Sequence, residues 1–510
     1  MMARISIRLR SWLILFHRWL GVFFCLLFGL WFLSGMVMMY WSFPAAEHRI
    51  SRADALDAGK VLLSPEEAFA RIQPADTPTG IRLAMLNGRA VYRFYFGRDQ
   101  IVVFADNGET LSEVTPQIAR GIAASWTGLP AASASFDGAL QQPDQWTVNG
   151  LYRIHGNLLK YSWPNGEQVY VSPLTAEVVQ HTTRVSRGAA YFGAIPHWLY
   201  FMPLRKDADL WERVVIWASG IGVVMSAMGL IIGIWMYSPV KRYRMRQGRS
   251  SFPYTGQKRW HAILGLIFGL VTCTWAFSGM MSLNPFPRLT EGGDSEKHLA
   301  DQVEETLRGD GIEPAAFRER SPRQALAALG PNPVVRELQL VSFAGEPFYV
   351  AAASEEISRV VPMQGPPLTH FDAGRITAAV ADAVRPHKPA EVRLVTEYES
   401  YYVDRHHELP LPVLFARIDD EAQSMFYINP QTAEVVRSYS ARSRWNRWLY
   451  HGLHSFDLPW LYRYRPLWDV LVLAMLVGGS ALCFTSVVIG WQVVRRKLVK
   501  LAPRRARAAT

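Results

Sequence analysis

Four stretches of this chain contain no Asp, Glu, Lys or Arg: Trp19–Trp41, Val214–Val240, Ala262–Leu283 and Val470–Val494. Each reaches the roughly 20 residues that a helix needs to cross a bilayer. In hydrocarbon a lone segment must satisfy its own backbone hydrogen bonds, so helix is the form such runs take. A cleaved leader is the rival for the first stretch. The apolar part of a leader runs only about 7–15 residues, so the first stretch is expected to persist as a span.

The net charge of +11 on 510 residues could suggest nucleic acid, but its placement says otherwise. Residues 1–18 carry Arg4, Arg8, Arg10 and Arg18. The segment 238–259 carries seven Lys and Arg, and the segment from Arg495 carries seven more, including Lys500, Arg504, Arg505 and Arg507. These 18 bases have no Asp or Glu among them, so +11 overall leaves −7 for the rest. Excess Lys and Arg in short loops marks the cytoplasmic side. The expected order is then a cytoplasmic start (1–11), spans at 12–41, 213–237, 260–283 and 467–494, a basic cytoplasmic loop (238–259) and a basic tail (495–510). The large segments 42–212 and 284–466 face outward, into the periplasm of a Gram-negative cell. With no basic stripe left on them, nucleic acid is not an expected partner, whereas membrane lipid is.

The cysteines, Cys25, Cys273 and Cys483, fall one to a span, with no Cys-x-x-Cys. Zinc knuckles and covalently attached haem are therefore not expected, and the thiols read as buried apolar groups.

The chain is written twice. His17, Gly21, Trp31, Ser34, Gly35 and Met36 recur 244 residues on as His261, Gly265, Trp275, Ser278, Gly279 and Met280. At a second constant spacing of 257, Tyr170-Val-Ser-Pro-Leu-Thr-Ala-Glu-Val-Val179 recurs as Tyr427-Ile-Asn-Pro-Gln-Thr-Ala-Glu-Val-Val436, His197 as His454, Trp211 as Trp468 and Gly233 as Gly490. Each half reads span, outer domain, span, in the same direction. Parallel repeats of this kind are related by an axis along the membrane normal, so matched positions face each other across the bundle. The fold class expected is a four-helix transmembrane bundle built from a parallel two-fold internal repeat, with two α+β extracytoplasmic domains. In those domains Ser64-Pro-Glu-Glu reads as a capping box opening a helix. Strands are expected over 80–86, 90–96 and 100–104, with Asn107-Gly108 and Asn165-Gly166 as turns. A helix over 116–126 restarts the pattern. The second half repeats it, with helices over 321–329 and 374–384 and strands between and after them, giving two helix-plus-strands units per outer segment.

The His-x-Trp-x-Gly…Ser-Gly first span, the Tyr-x-x-Pro-x-Thr-Ala-Glu strand end and the segment Arg447-Trp-Leu-Tyr-His-Gly-Leu-His-Ser-Phe-Asp457 together resemble the PepSY-associated transmembrane family. The resemblance covers nearly the whole chain. It implies PepSY-like outer domains and, through the inner-membrane ferric-siderophore reductases of that family, a b-type haem protein of the bacterial inner membrane that passes electrons outward to ferric siderophore iron for iron uptake.

Histidines give this implication residues to rest on. His17 and His261 lie in matched register at the cytoplasmic ends of spans one and three. Ionisable residues at membrane depth are functional candidates, and haem iron takes imidazole as an axial ligand. One haem b between them is the expectation; paired interfacial anchors are the rival. His197 and His454 correspond near the outer surface and are candidates for a second haem, against the reading of amphipathic anchors. His451 is an alternative ligand there, although its repeat partner is Ala194. His155, Arg405, His406 and His407 in the outer segments are candidates for the side that meets the chelate, with solvated loop residues as the plainer reading. No Gly-x-Gly-x-x-Gly between strand and helix supplies a nucleotide site. The electron donor is therefore expected to be external: a quinol, a reductase or a diffusible cytoplasmic reductant. A non-enzymatic PepSY binding or regulatory protein, assisting siderophore or peptidase handling, is the alternative. A transporter fits less well, since the spans hold no carboxylate pair for ion coupling.

Overall fold

The computed structural model describes residues 2–74, 76–246, 248–290, 294–309 and 311–501. The end of the basic tail, with Arg504, Arg505 and Arg507, lies outside the described residues, as do the side chains of Arg4 and Lys500. The described chain forms two compact units. One gathers the described residues of 2–43, 185–287 and 446–501; the other gathers those of 44–184 and 288–445.

The first unit is helical. Met2–Met38, Ala208–Met236, Gly256–Met281 and Arg465–Leu501 carry the apolar stretches, and all four are long and apolar enough to cross a membrane. Asp207 caps the second helix, its carboxylate accepting from the Leu210 amide, which satisfies one of the donors that a helix start leaves unpaired. The first helix packs against the second and fourth, and the third does the same. The first and third also meet directly, with Phe32 5.8 Å from Trp275. Polarity runs inside-out relative to a water-soluble bundle. Ser34, Thr272, Ser278 and Thr485 are buried, while Phe23, Trp217, Leu270 and Phe484 are exposed. Small and hydroxyl-bearing residues are what let helices approach in a lipid solvent. At Gly222 an added Cβ would come within 2.6 Å of the Phe28 ring. The basic segment between helices two and three is ordered as a small hairpin, Tyr243–Met245 against Gly248–Ser250, closed by a backbone bond from Ser238 to Ser251.

The second unit is built on sheets. Ser64 and Glu67 close the capping box read in the sequence, and Ser321 with Gln324 repeats it. A six-stranded antiparallel sheet runs in the order Ser358–Pro362, Glu346–Ala352, Glu337–Phe343, Gly80–Leu86, Arg89–Phe96, Asp99–Phe104. Its centre joins the segment before the second long helix to the segment after the third, with Ile81 opposite Leu340 and Leu83 opposite Leu338. The first helix-and-strands unit of each segment therefore shares one sheet with its counterpart, where the sequence suggested that each would stand alone. The later units form separate four-stranded sheets: Ser135–Ala139, Leu159–Ser162, Gln168–Val171 and Val178–Thr182, and Pro389–Val395, Val413–Ile418, Met425–Asn429 and Glu434–Tyr439. Pro116–Thr127 covers the first through Ile122 and Trp126, and Ala373–Ala383 covers the second through Ile376 and Val380. One helix, Asp294–Arg308, has no counterpart in the sequence reading. Its signal is Leu299, Val303 and Leu307 at four-residue spacing, the stripe that packs on the second core.

The Thr-Ala-Glu motif turns out to be a structural device. Ala176 and Ala433 take left-handed φ values of 51° and 58°, and the glutamate that follows each pairs with an arginine. Glu177 meets Arg82 at 2.6 Å, and Glu434 pairs with Arg308. Glu337, fully buried, receives Arg49 at 2.6 Å and Arg82 at 3.4 Å.

Candidate functional site

Four histidines of the helical unit come together as two pairs. The His17 and His261 rings have centroids 6.2 Å apart, and those of His197 and His454 are 5.9 Å apart. His17 and Ser34 are 17 residues apart on the first helix, as are His261 and Ser278 on the third. At about 1.5 Å per residue this separates the two depths by about 25 Å.

Each ring is held by one nitrogen. His17 Nδ1 is 3.0 Å from the Met225 carbonyl, and His197 Nδ1 is 3.2 Å from the Trp31 carbonyl and 3.1 Å from Ser34 Oγ. His454 Nδ1 is 3.0 Å from Ser278 Oγ and bonds the Trp275 backbone. His261 Nδ1 lies 3.3 Å from Thr485 Oγ1 and 3.2 Å from Ser486 Oγ, and bonds the Leu482 backbone. A carbonyl can only accept, so Nδ1 carries the proton and Nε2 keeps its lone pair. Among the described residues no hydrogen bond reaches any of the four Nε2 atoms. Tying Nδ1–H to a backbone or hydroxyl acceptor is how proteins orient an imidazole for a metal.

The segments that carry His197 and His454 are pinned alike. Leu199 and Phe456 both adopt left-handed φ values, 53° and 51°. The Trp211 indole donates to the Trp198 carbonyl at 2.8 Å, and the Trp468 indole to the Ser455 carbonyl at 2.9 Å. Room for the His17 ring comes from glycine, since an added Cβ at Gly229 would lie 2.6 Å from His17 Cε1; at Gly35 and Gly279 an added Cβ would meet His197 and His454 only in ordinary contact, at 3.5 and 3.6 Å.

The residues present would suit a haem iron: an imidazole nitrogen binds a metal at about 2 Å with its ring centroid about 1 Å behind, so two rings with centroids 6.2 or 5.9 Å apart are close enough for both to reach one ion. Trp31 and Trp275 also bury indole N–H groups with no acceptor among the described residues, at the end where their own carbonyls hold the outer pair. A groove of about 750 Å³ is lined by Cys25, Gly29, Trp260, Leu264 and Cys483, and by Thr485, which meets His261. It offers apolar room next to the inner pair.

The other candidates fall elsewhere. His451, three residues before His454, is half exposed and faces Asp457 at 3.6 Å; it is His454 that stands opposite His197. In the sheet unit His407 packs on Tyr398 at 5.2 Å and Arg405 bonds His406. His155 lies on the short helix Leu151–His155, within reach of the charge on Glu177. No contact joins His155 to His406 or His407 among the described residues, and no group of three His, Cys, Asp or Glu there could hold a metal. Sequence reasoning missed the positioning partners Met225, Leu482, Thr485 and Ser486. Met225 and Leu482 are 257 residues apart, the same spacing that links His197 to His454.

A family model for the PepSY-associated TM region matches residues 12–348 and, a second time, residues 259–510. None of the curated proteins matches the chain.

Proposed function

The chain belongs to the PepSY-associated TM family, and from that premise we propose that it is a haem b oxidoreductase that carries electrons across a bacterial inner membrane to reduce ferric siderophore iron in the periplasm. The observation that carries this reading is the double pairing of imidazoles at about 6 Å with all four Nε2 lone pairs uncommitted. Haem iron between two imidazoles exchanges single electrons, and that redox chemistry belongs to the cofactor.

The chain's own residues hold, orient and insulate. Met225, Leu482, Trp31 and Trp275 fix the tautomer through their backbones, while Ser34, Ser278, Thr485 and Ser486 limit ring rotation. Phe28, Phe32 and Trp275 fill the span between the two depths with aromatic surface and keep water out of it. In the orientation that the basic termini favour, His17 and His261 would hold one haem near the cytoplasmic face, and His197 with His454 would hold another near the outer one. The two-fold repeat gives this relay its logic, since each half supplies one ligand at each depth. An external donor completes the path, because the chain has no nucleotide-binding motif of its own.

A dithionite-reduced minus oxidised spectrum of the purified protein tests the proposal. Two b-type haems are expected, with one lost in His17→Ala or His261→Ala and the other in His197→Ala or His454→Ala. A colourless wild-type protein, or spectra indifferent to all four substitutions, would leave the non-enzymatic binding protein as the better reading.

A further inference from the structure

The two halves build their imidazole pairs alike but differ in what surrounds the outer one. At the 257-residue spacing, Arg447, His451 and Asp457 stand where the first half has Ala190, Ala194 and Tyr200. These three residues form one polar cluster. Arg447 is buried, donates to the Asp457 carbonyl, and lies with its guanidinium 4.3 Å from the Trp448 ring centre. The Tyr462 hydroxyl donates to the Asp457 carboxylate, which lies 3.6 Å from His451. Arg447–Gly452 is a π-helical turn, a rare geometry that concentrates at functional sites. His451 lies on this turn with its side chain 52% exposed. Between this exposed ring and the buried ligand stands Tyr450, 4.5 Å from His451 and 5.7 Å from His454, centre to centre. A chain of three rings in tilted contact, at 45° and 41°, thus leads from the outer histidine pair to the exposed His451. The first half has no such chain of rings at the matching place, because Ala194 has no ring to offer.

We propose that the segment Arg447–Asp457 is the docking site for the ferric chelate and the electron exit, with His451 meeting the oxygen donors around the iron and Tyr450 bridging to His454. This rests on the haem reading above. The step moves one electron from reduced haem iron to chelated Fe(III), giving oxidised haem and Fe(II), with no bond to the protein made or broken. The acceptor site is thereby placed beside the outer haem ligand rather than at His155, His406 and His407.

The test uses the full-length protein in detergent with two probes, a ferric trihydroxamate and its redox-inert gallium(III) analogue. His451→Leu and the milder His451→Gln are expected to keep both reduced haem spectra, to slow stopped-flow reoxidation by the ferric probe at least tenfold, and to weaken gallium-probe binding in equilibrium dialysis by a similar factor. Tyr200→Phe, in the first half, should change neither. Unchanged reoxidation and binding in the His451 variants would overturn the proposal. So would loss of the outer haem spectrum in them, which would make His451 a ligand. A wild-type protein without haem would sink the oxidoreductase reading by itself; gallium-probe binding that still depends on His451 would then uphold the docking site alone.

Discussion

Gly229 sits where any side chain would press on an imidazole, with its would-be Cβ 2.6 Å from His17 Cε1. A backbone so close leaves the ring one orientation, which is the one that places Nδ1 on the Met225 carbonyl. Gly229→Val should therefore expel His17 from its position. Haem per chain, counted as the pyridine haemochromogen, is expected to fall from two to one, with the outer pair unaffected; a count that stays at two would show that the inner pair tolerates the intrusion. The histidines were legible in the sequence because a repeat makes pairs visible at constant spacing. Their carbonyl partners were not, because a backbone acceptor has no side-chain signature. Thr485 and Ser486 were hidden for another reason. Their counterparts at the 257-residue spacing are Met228 and Gly229, so the repeat does not mark them, and His261 gains two hydroxyl neighbours that His17 lacks.

At the scale of elements, the sheet unit is locked by buried charge. Burial alone would raise the carboxyls of Glu337 and Glu177. Arg82 and Arg49 outweigh it at Glu337, and Arg93, Arg82 and Arg49 outweigh it at Glu177, holding both below the usual carboxylate range. A carboxylate whose pKa is lowered by folding stabilises the fold above its unfolded value of about 4.3, and that contribution is lost as pH falls through the folded pKa. Thermal unfolding of the solubilised protein should thus show the sheet unit losing stability below about pH 4. Glu337→Gln removes one charge from the cluster while Arg82 keeps Glu177 and the part-exposed Arg49 reaches solvent; a cost of about 1–3 kcal/mol near neutral pH is expected, with a flatter acid limb. An unchanged melting temperature at neutral pH would show that the cluster is not a lock. Helix starts and strands were readable here, because Ser64 with Glu67 and the alternation over 80–86 are local signals. Asn87-Gly88, which makes the tight turn between Gly80–Leu86 and Arg89–Phe96 with φ of 48° and 77°, carries the same Asn-Gly signal, although the sequence reading named only Asn107-Gly108 and Asn165-Gly166.

For the whole molecule, what the sequence withheld was strand order. No turn sets Ile81 opposite Leu340; only the burial of both does. The central pairing of the six-stranded sheet thus depends on two segments that a pair of spans separates in the chain. Expressed alone, residues 44–184 would present Gly80–Leu86 as an unpaired edge with a buried face exposed, a state prone to association. We expect this fragment to aggregate, and to become soluble when produced together with residues 288–445. Size-exclusion chromatography distinguishes the outcomes, and a well-behaved lone fragment would contradict the shared sheet.

The positioning bonds of the four imidazoles divide in a particular way. Among the described residues, His17 and His197 are held by Met225, Trp31 and Ser34, and His261 and His454 by Leu482, Thr485, Ser486, Trp275 and Ser278. Each half of the chain aims its own two rings, yet each pair takes one ring from either half. As separate molecules the halves would form both sites by a second-order encounter, and occupancy would fall on dilution. Covalent connection makes that encounter intramolecular, with the effective concentration set by the linking segment. Assembly of both pairs in this single chain is then first order and independent of how sparsely the protein is scattered in its membrane.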